Sequence, residues 1–231
     1  MPRVARTVAA HYPHHVTQRG NARQNIFSDN SDYLHYRALI SKYAPDYGLE
    51  IWAYCFMPNH VHFIVVPHEK ESMAKTFMTC HMLYAQYVNR KRNTTGHVWQ
   101  GRFFSCILDE RHLYAAIRYV ERNPVRAGIV SEPHEYPWSS VRGHLGLELD
   151  PLLKNPSPIN DMIGDWKLFL SLPEEEEVVK KVRKFTHAGI PCGDEEFIKS
   201  LSHIIPHQLA RRPRGRPPKI SLSPNTQGLE E

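Results

Sequence analysis

Two apolar runs joined by a short turn constrain the fold more than any other stretch of this chain. Residues 50–56 and 60–66 are rich in apolar and aromatic side chains, and Met57-Pro58-Asn59 separates them. Proline and asparagine form turns, and two strands joined this closely pair antiparallel. Pro67 ends the second run, because a proline has no N–H to donate to a sheet. The sequence therefore predicts a β-hairpin over residues 50–66.

The patterns on either side of this hairpin predict the rest of the fold. Strand patterns cover residues 14–19 and 103–108, and helical spacing of apolar residues covers residues 33–47, 71–92 and 111–122. The resulting order is strand, helix, strand, strand, helix, strand, helix. That order predicts an α+β fold with a ferredoxin-like, mainly antiparallel sheet and helices packed on it.

The amino-acid composition of the chain changes near residue 149, where prolines become frequent. A run of glutamates at residues 174–177 precedes Lys180 and Lys181, which is typical of a solvated surface helix, and a further helix is predicted over residues 194–202. The last residues are basic and rich in proline, which favours disorder. We therefore predict a folded domain at residues 1–148, a small helical extension at 149–205 and a disordered basic tail at 206–231.

Composition excludes several classes of protein. The formal net charge of +5 favours polyanionic partners such as nucleic acid. The four cysteines are far apart, with no C-x-x-C pair, which argues against a disulfide framework or a zinc knuckle. No run of about 18 apolar residues occurs, so no membrane span or membrane partner is expected. These observations predict a cytoplasmic protein with reduced thiols.

Two histidines open the second strand of the hairpin. His60 and His62 are two residues apart, so their side chains share one face of the strand. Such a pair can hold one metal ion, but a working site needs a third ligand, usually an oxygen donor if the ion is Mg²⁺ or Mn²⁺. On this pattern alone, two histidines without a ligand are the more frequent case.

The helix predicted over residues 111–122 offers candidates for the missing groups. Tyr119 and Asn123 lie one turn apart, at one edge of its apolar stripe. A phenol and an amide oxygen beside a metal ion suit phosphodiester cleavage, in which the tyrosine oxygen attacks phosphorus. Taken alone, the segment is more typical of a half-buried aromatic residue and a helix end before Pro124.

Four sequence blocks together resemble a known family. They are AYCFMPNHVHFIVVP at residues 53–67, WQGRF at 99–103, RYVERNPVRAGIV at 118–130 and YPWSS at 136–140. Their order and spacing resemble the HUH single-tyrosine transposases, and most of all the REP-associated tyrosine transposases of bacteria. The resemblance implies that residues 1–148 are the catalytic domain of a transposase, an endonuclease and strand transferase.

The resemblance also implies roles for individual residues. His60, His62 and Asn123 would hold a divalent metal ion, Mg²⁺ or Mn²⁺, and Tyr119 would be the nucleophile. The nucleophile would form a covalent 5′-phosphotyrosine on single-stranded DNA that carries a hairpin. Two alternatives remain open, a catalytically silent DNA-binding derivative of the same fold and a metal-dependent hydrolase in which water attacks. Whether the protein acts as a monomer or a homodimer also remains open.

Basic residues supply candidate contacts to DNA. Arg102 and Arg126 are the ones we expect to bind DNA within the catalytic domain. The other basic residues considered, for which a solvated surface is an equally good explanation, are Arg19, Arg23, Arg90, Lys91, Arg92, Arg118 and Arg122.

The tail contains an R-G-R-P core that resembles an AT-hook. Its arginines would enter the minor groove of A·T-rich duplex DNA, although a basic tail without groove preference is the alternative. Such contacts would associate the protein with the nucleoid. The tail residues concerned are Arg211, Arg212, Arg214, Gly215, Arg216 and Pro217.

Overall fold

The computed structural model of the chain describes residues 6–155 and 157–205. Its strands are β1 (His14–Arg19), β2 (Leu49–Met57), β3 (His60–Pro67) and β4 (Phe104–Ile107). They form a four-stranded sheet in the order β2-β3-β1-β4, and each neighbouring pair is antiparallel. This is the ferredoxin-like arrangement, so the predicted fold class is confirmed.

The helices of the first two thirds of the chain follow the predicted order. They are α1 (Asn30–Asp46), α2 (Ser72–Arg92), α3 (Glu110–Glu121), α4 (Asn123–Arg126) and α5 (Val141–His144). Asp29 and Asp109 cap α1 and α3, because their carboxylates accept hydrogen bonds from backbone N–H groups of the first turn. The later helices are α6 (Pro158–Ile163), α7 (Trp166–Ser171), α8 (Glu176–Ala188) and α9 (Glu195–Ile204).

The first face of the sheet packs against α1 and α2, and we call it the α1–α2 face. Val61, Phe63 and Val65 of β3 point to it, as period-two alternation in a strand requires. Many of its packed side chains are aromatic, and the fully buried ones include Tyr36, Phe56, Phe63, Phe77 and Tyr84.

The second face of the sheet packs against α3 and α8, and we call it the α3 face. Small side chains of the sheet, among them Ala53, Cys55 and Cys106, pack there against the buried stripe of α3. The helical region that begins with the glutamates at residues 174–177 was expected to be a solvated surface helix, and this expectation is wrong in part. The Glu177–Lys180 pair of α8 is exposed, but Val182 belongs to the core under the sheet. The extension therefore shares a core with the first domain.

An irregularity in β2 assigns its residues to the two faces. The register with β3 shifts between Ile51 and Ala53, which marks a β-bulge. As a result Ile51 lies in the core of the α1–α2 face, whereas Ala53 lies in the core of the α3 face. Without the extra residue both side chains would share one face.

Other segments cover the two edges of the sheet. Along β2, the Phe56 N–H donates to the Trp138 carbonyl (2.8 Å) and the Ser140 N–H donates to the Tyr54 carbonyl (3.0 Å). Beside β4, the Cys192 N–H donates to the Ile107 carbonyl (2.8 Å). The YPWSS block thus lies along one edge, and the segment between α8 and α9 lies along the other.

Two expectations from composition can be compared with the described residues. Cys55, Cys80, Cys106 and Cys192 are all buried free thiols, as predicted. Within residues 6–155 and 157–205, no helix has the length and apolar character that a membrane span needs.

Candidate active site

The two histidines of the hairpin lie on the α3 face at the start of β3. His60 is opposite Arg19 of β1, and His62 is opposite Thr17 of β1 and Cys55 of β2. The two imidazole centroids are 4.9 Å apart and their planes are nearly perpendicular, at 83°. His62 is buried, and His60 is partly buried. The strand therefore presents both rings side by side, as the period-two pattern predicted.

Tyr119 of α3 packs directly on this pair. Its ring centroid lies 5.4 Å from that of His62, with the two planes at 87°. Leu113, Ala116 and Val120 of the same helix are buried against the sheet, which brings the edge of the helix over the histidines. In the described part of the chain, no side chain is hydrogen-bonded to the Tyr119 hydroxyl.

The turn residue Asn59 fixes which nitrogen of His60 is available. The Asn59 Nδ2 group donates to the Arg23 carbonyl (3.3 Å), so its Oδ1 atom faces His60 Nδ1 at 2.6 Å. An amide oxygen only accepts, so the His60 proton resides on Nδ1 and the lone pair resides on Nε2. Asn59, expected only to end the turn, therefore also orients the imidazole and leaves Nε2 as the nitrogen with a free lone pair.

A third histidine, which the sequence reasoning missed, contacts His62. The Nε2 atom of His15 lies 3.0 Å from His62 Nδ1, and the two rings stack with centroids 5.2 Å apart. His15 also meets the Tyr119 ring edge-on at 5.9 Å. The available signal was the alternation of β1, which places His15 and Thr17 on the same face as Arg19. It gave no indication of which strand would lie beside β1.

The electrostatic surroundings favour neutral imidazoles. Burial, followed by the positive charges of Arg19 and Arg126, lowers the pKa of His60 from its ordinary value of 6.5 to about 4. Burial is also the main reason that the pKa of His62 is well below 6.5, and His60 and His15 lower it further. A neutral imidazole is the form that binds a metal ion.

Asn123 begins α4, so the helix carrying Tyr119 is interrupted between the two residues. Helix α3 ends at Glu121, and Arg122 lies between the two helices with a φ of −87° and a ψ of 3°. The Asn123 side chain is buried, and within the described residues its amide nitrogen has no hydrogen-bond partner. An unpartnered buried amide nitrogen is unusual, and as a donor it could bind an oxygen acceptor such as a phosphate, whereas a metal ion would bind the amide oxygen.

These groups fit a divalent ion of the Mg²⁺ or Mn²⁺ type. Two imidazole nitrogens and an amide oxygen are suitable donors, and the remaining ligands would be water or phosphate oxygens. Among the residues described, no group of three or more His, Cys, Asp or Glu side chains could hold a metal ion by itself. Without a carboxylate, such a site would need water or phosphate oxygens to complete its ligand set.

Arg126 contacts the nucleophile candidate and is also exposed to solvent. Its guanidinium carbon lies 4.2 Å from the centroid of the Tyr119 ring, and its Nη2 group donates to the Tyr119 carbonyl (3.0 Å). Its Nη1 group donates to both carboxylate oxygens of Glu174, at 2.8 Å each. Arg126 was predicted to bind DNA, and the structure gives it these protein partners as well.

Other basic candidates have different surroundings. Arg118 and Arg122 donate to the Phe169 and Leu170 carbonyls and so attach α3 to α7. Arg102 is exposed in the loop before β4, close enough to Arg6 for its charge to add to desolvation in lowering the Arg6 pKa to about 10. The tail candidates lie outside the described residues, namely Arg211, Arg212, Arg214, Gly215, Arg216 and Pro217.

Comparisons with known proteins agree with this fold. The chain matches the model of the IS200-like transposase family over residues 7–123. A Haemophilus influenzae protein named as a REP-associated tyrosine transposase is 23% identical over 133 residues, which are 52% of this chain and 76% of the relative. The solved structure of a REP-associated tyrosine transposase bound to a REP hairpin has the same fold, with a TM-score of 0.51 and 21% identity over 63% of this chain and 86% of that one. Because the family match spans more than half of the 231 residues, the chain belongs to the IS200-like transposases, a family of DNA-processing enzymes.

Proposed function

We propose that this protein is a metal-dependent endonuclease and strand transferase that cleaves single-stranded DNA near a hairpin through Tyr119. The observation that carries the proposal is the perpendicular contact of the Tyr119 ring with His62, 5.4 Å between centroids, on the sheet face that also carries His60. A nucleophile and two metal-binding nitrogens thus lie within one site. The hairpin substrate is inferred from the relative whose solved structure contains a REP hairpin.

The cleavage step exchanges one phosphoester bond for another. The Tyr119 oxygen forms a bond to phosphorus while the bond between phosphorus and the 3′ oxygen breaks. The phenol proton is released, and the departing 3′ oxygen takes up a proton, so the products are a 5′-phosphotyrosine and a 3′ hydroxyl. A second 3′ hydroxyl can reverse the exchange, which rejoins the strand without a nucleotide cofactor.

The residues of the site have separate parts in this step. His60, His62 and Asn123 would hold the divalent ion, which when bound supplies positive charge that offsets the charge on the phosphate oxygens. Arg126 positions Tyr119 through its contact with the ring and its hydrogen bond to the backbone carbonyl. Asn59 keeps the His60 proton away from the ion.

Trapping the covalent adduct tests the nucleophile. We expect wild-type protein, incubated with hairpin DNA and Mn²⁺, to become attached to the 5′ phosphate of the cut strand. Tyr119→Phe should reduce adduct formation by about a thousandfold or more, because the attacking oxygen is removed. Tyr114→Phe is the matched control, since Tyr114 lies on the same helix and its hydroxyl contacts Glu110 instead of the site. An adduct on Tyr119→Phe would refute the assignment, and cleavage by the wild type without an adduct would indicate attack by water.

The basic tail is proposed as a second DNA contact. Its R-G-R-P sequence would bind the minor groove of A·T-rich duplex DNA next to the hairpin, which would associate the protein with the nucleoid. Deleting residues 210–231 should weaken binding to an A·T-rich duplex, measured by fluorescence anisotropy, and leave cleavage of saturating hairpin DNA unchanged. Equal duplex affinity of the two forms would contradict this contact.

A further inference from the structure

A chain of hydrogen bonds connects His62 to helix α8. It passes from His62 Nδ1 to His15 Nε2 at 3.0 Å, and from His15 Nδ1 to the Thr186 hydroxyl oxygen at 2.8 Å. His15 and Thr186 are 171 residues apart in sequence. His15, His62 and Thr186 are all buried, with exposed fractions of 1%, 5% and 0%. Water therefore has little access to replace any of these bonds.

The Thr186 hydroxyl, at the end of this series of hydrogen bonds, determines which atom donates in each of them. The Thr186 hydroxyl lies 2.7 Å from the Val182 carbonyl, which can only accept, so the hydroxyl proton is used there. The Thr186 oxygen must then accept from His15 Nδ1, which places the His15 proton on Nδ1. His15 Nε2 consequently has a lone pair, and His62 Nδ1 must donate to it. The remaining nitrogen of His62, Nε2, is left with its lone pair free for a metal ion.

Cys106 completes the surroundings of the hydroxyl. Its sulfur lies 3.1 Å from the Thr186 oxygen, and because the threonine proton is already used, the thiol is the donor. The Thr186 oxygen thus donates once and accepts twice, which is its full capacity. Because all of its hydrogen-bonding capacity is used, the Thr186 hydroxyl cannot rotate, and it holds His15, and through His15 also His62, in one orientation.

We propose that Thr186 is a positioning residue for the metal site, and that it acts through His15 to keep the His62 proton on Nδ1. This inference rests on the proposed function, because it concerns the ion that His62 would hold. A ligand histidine that loses such a partner can place its proton on the metal-binding nitrogen, and losses of metal affinity of about 10 to 100-fold are typical. The helical extension would then position a ligand of the metal site, in addition to its contribution to the core.

Two readouts test the proposal, and the first needs no metal. The tautomers of His62 and His15 can be read from the ring nitrogen shifts of histidine-labelled, metal-free protein by NMR. We expect the Nδ1-protonated form of His62 in the wild type and in Thr186→Ser, which keeps the hydroxyl. Thr186→Val should show a mixture of tautomers. An Nε2-protonated His62 in the wild type, or an unchanged tautomer in Thr186→Val, would overturn the proposal.

The second readout is Mn²⁺ affinity, followed by electron paramagnetic resonance with the protein bound to hairpin DNA in a Tyr119→Phe background. Thr186→Val should weaken Mn²⁺ binding by about 10 to 100-fold, and Thr186→Ser should stay within about threefold of the parent. Thr76→Val is the matched control, because Thr76 is a fully buried threonine of α2 on the other face of the sheet. Undiminished Mn²⁺ affinity in Thr186→Val would overturn the proposal.

The two readouts separate this proposal from the proposed function. If the tautomer of His62 depends on Thr186 but His62→Ala binds Mn²⁺ as tightly as its parent, the hydrogen-bond chain stands and the metal assignment fails. If His62→Ala loses Mn²⁺ while Thr186→Val changes neither readout, the metal assignment stands and the role of Thr186 is refuted. Melting temperatures of the threonine variants, compared with Thr76→Val, show whether α8 remains packed.

Discussion

The two faces of the sheet are built from different chemistry although they share the same strands. On the α1–α2 face, large apolar and aromatic side chains such as Phe56, Phe63 and Phe77 fill the core. On the α3 face, small side chains leave room for three histidines, and hydrogen bonds connect two of them, His15 and His62, to each other and to α8. The first face stabilises the domain by burial of apolar surface, and the second contains the proposed reaction site.

Adjacent residues of β3 show what this division requires. His62 and Phe63 are neighbours in sequence, yet one contacts the nucleophile candidate and the other lies in the aromatic core. A shift of one residue in register would exchange their environments. The dense packing of the α1–α2 face therefore also fixes the positions of the groups on the α3 face. Substitutions on the α1–α2 face should mainly lower stability, and substitutions of the histidines on the α3 face should mainly weaken metal binding.

The largest effect on stability is expected from the α1–α2 face. Phe63→Ala should lower the free energy of unfolding by about 3–5 kcal/mol, because it leaves a cavity between Phe56 and Phe77. Urea denaturation measures this loss. The folded fraction of Phe63→Ala, in complex with hairpin DNA, should bind Mn²⁺ nearly as tightly as the wild type does. A loss below about 1 kcal/mol would mean that this face is not the main source of stability.

An intermediate effect is expected from a histidine that serves structure alone. His81 of α2 is buried beside Tyr36, and burial, assisted by the charge of Arg6, lowers its pKa from 6.5 to about 3. Because the unfolded chain takes up this proton more readily, the stabilising contribution is complete above pH 6.5 and decreases as the pH falls toward 3. Between pH 7 and pH 5 the unfolding free energy should fall by about 2 kcal/mol on account of His81.

The measurement for His81 is urea denaturation at pH 7 and pH 5. His81→Gln can keep a hydrogen bond to Tyr36 but does not titrate, so it should lose about 2 kcal/mol less than the wild type between these two pH values. An equal loss in both proteins would show that His81 is protonated in the folded state. That result would remove the predicted difference between His81, which contributes to stability, and the histidines proposed to bind the metal.

The smallest effect on stability is expected at the proposed metal site. His60 is partly buried and its side-chain hydrogen bond is to the adjacent Asn59, so His60→Ala should change the free energy of unfolding by less than about 1 kcal/mol. Mn²⁺ binding, in contrast, should be lost. A stability loss as large as that of Phe63→Ala, without any loss of metal, would reverse the assignment of the two faces.

Local patterns in the sequence were sufficient to predict much of this molecule. The strand at residues 14–19 is confirmed residue for residue, and the predicted hairpin and the helices over residues 33–47, 71–92 and 111–122 agree with the structure to within a few residues. Turn residues, caps and apolar periodicity are short-range properties, so they can be read from neighbouring positions. The pairing of His60 and His62 on one face followed from the same rule.

The parts that were missed depend on contacts between distant segments. Glutamates at the start of α8 suggested a helix in solvent. The apolar stripe of Val178, Val179 and Val182 indicates a buried face, but helical spacing alone does not tell that this face meets the sheet. Arg118 and Arg122 were counted as charge available for DNA, but they bind carbonyls of α7. The bulge between Ile51 and Ala53 also left no pattern that identified it in advance.

The covered edges of the sheet have a consequence for assembly. Exposed edge strands invite a second chain to add its own strand, which is a frequent route to dimers and to aggregation. Here the YPWSS block bonds to β2 through Trp138 and Ser140, and Cys192 bonds to the strand at the opposite edge. A second copy could join by strand addition only after displacing one of these segments. A dimer that leaves both segments in place would form through other surfaces, and the sheet would remain confined to one subunit.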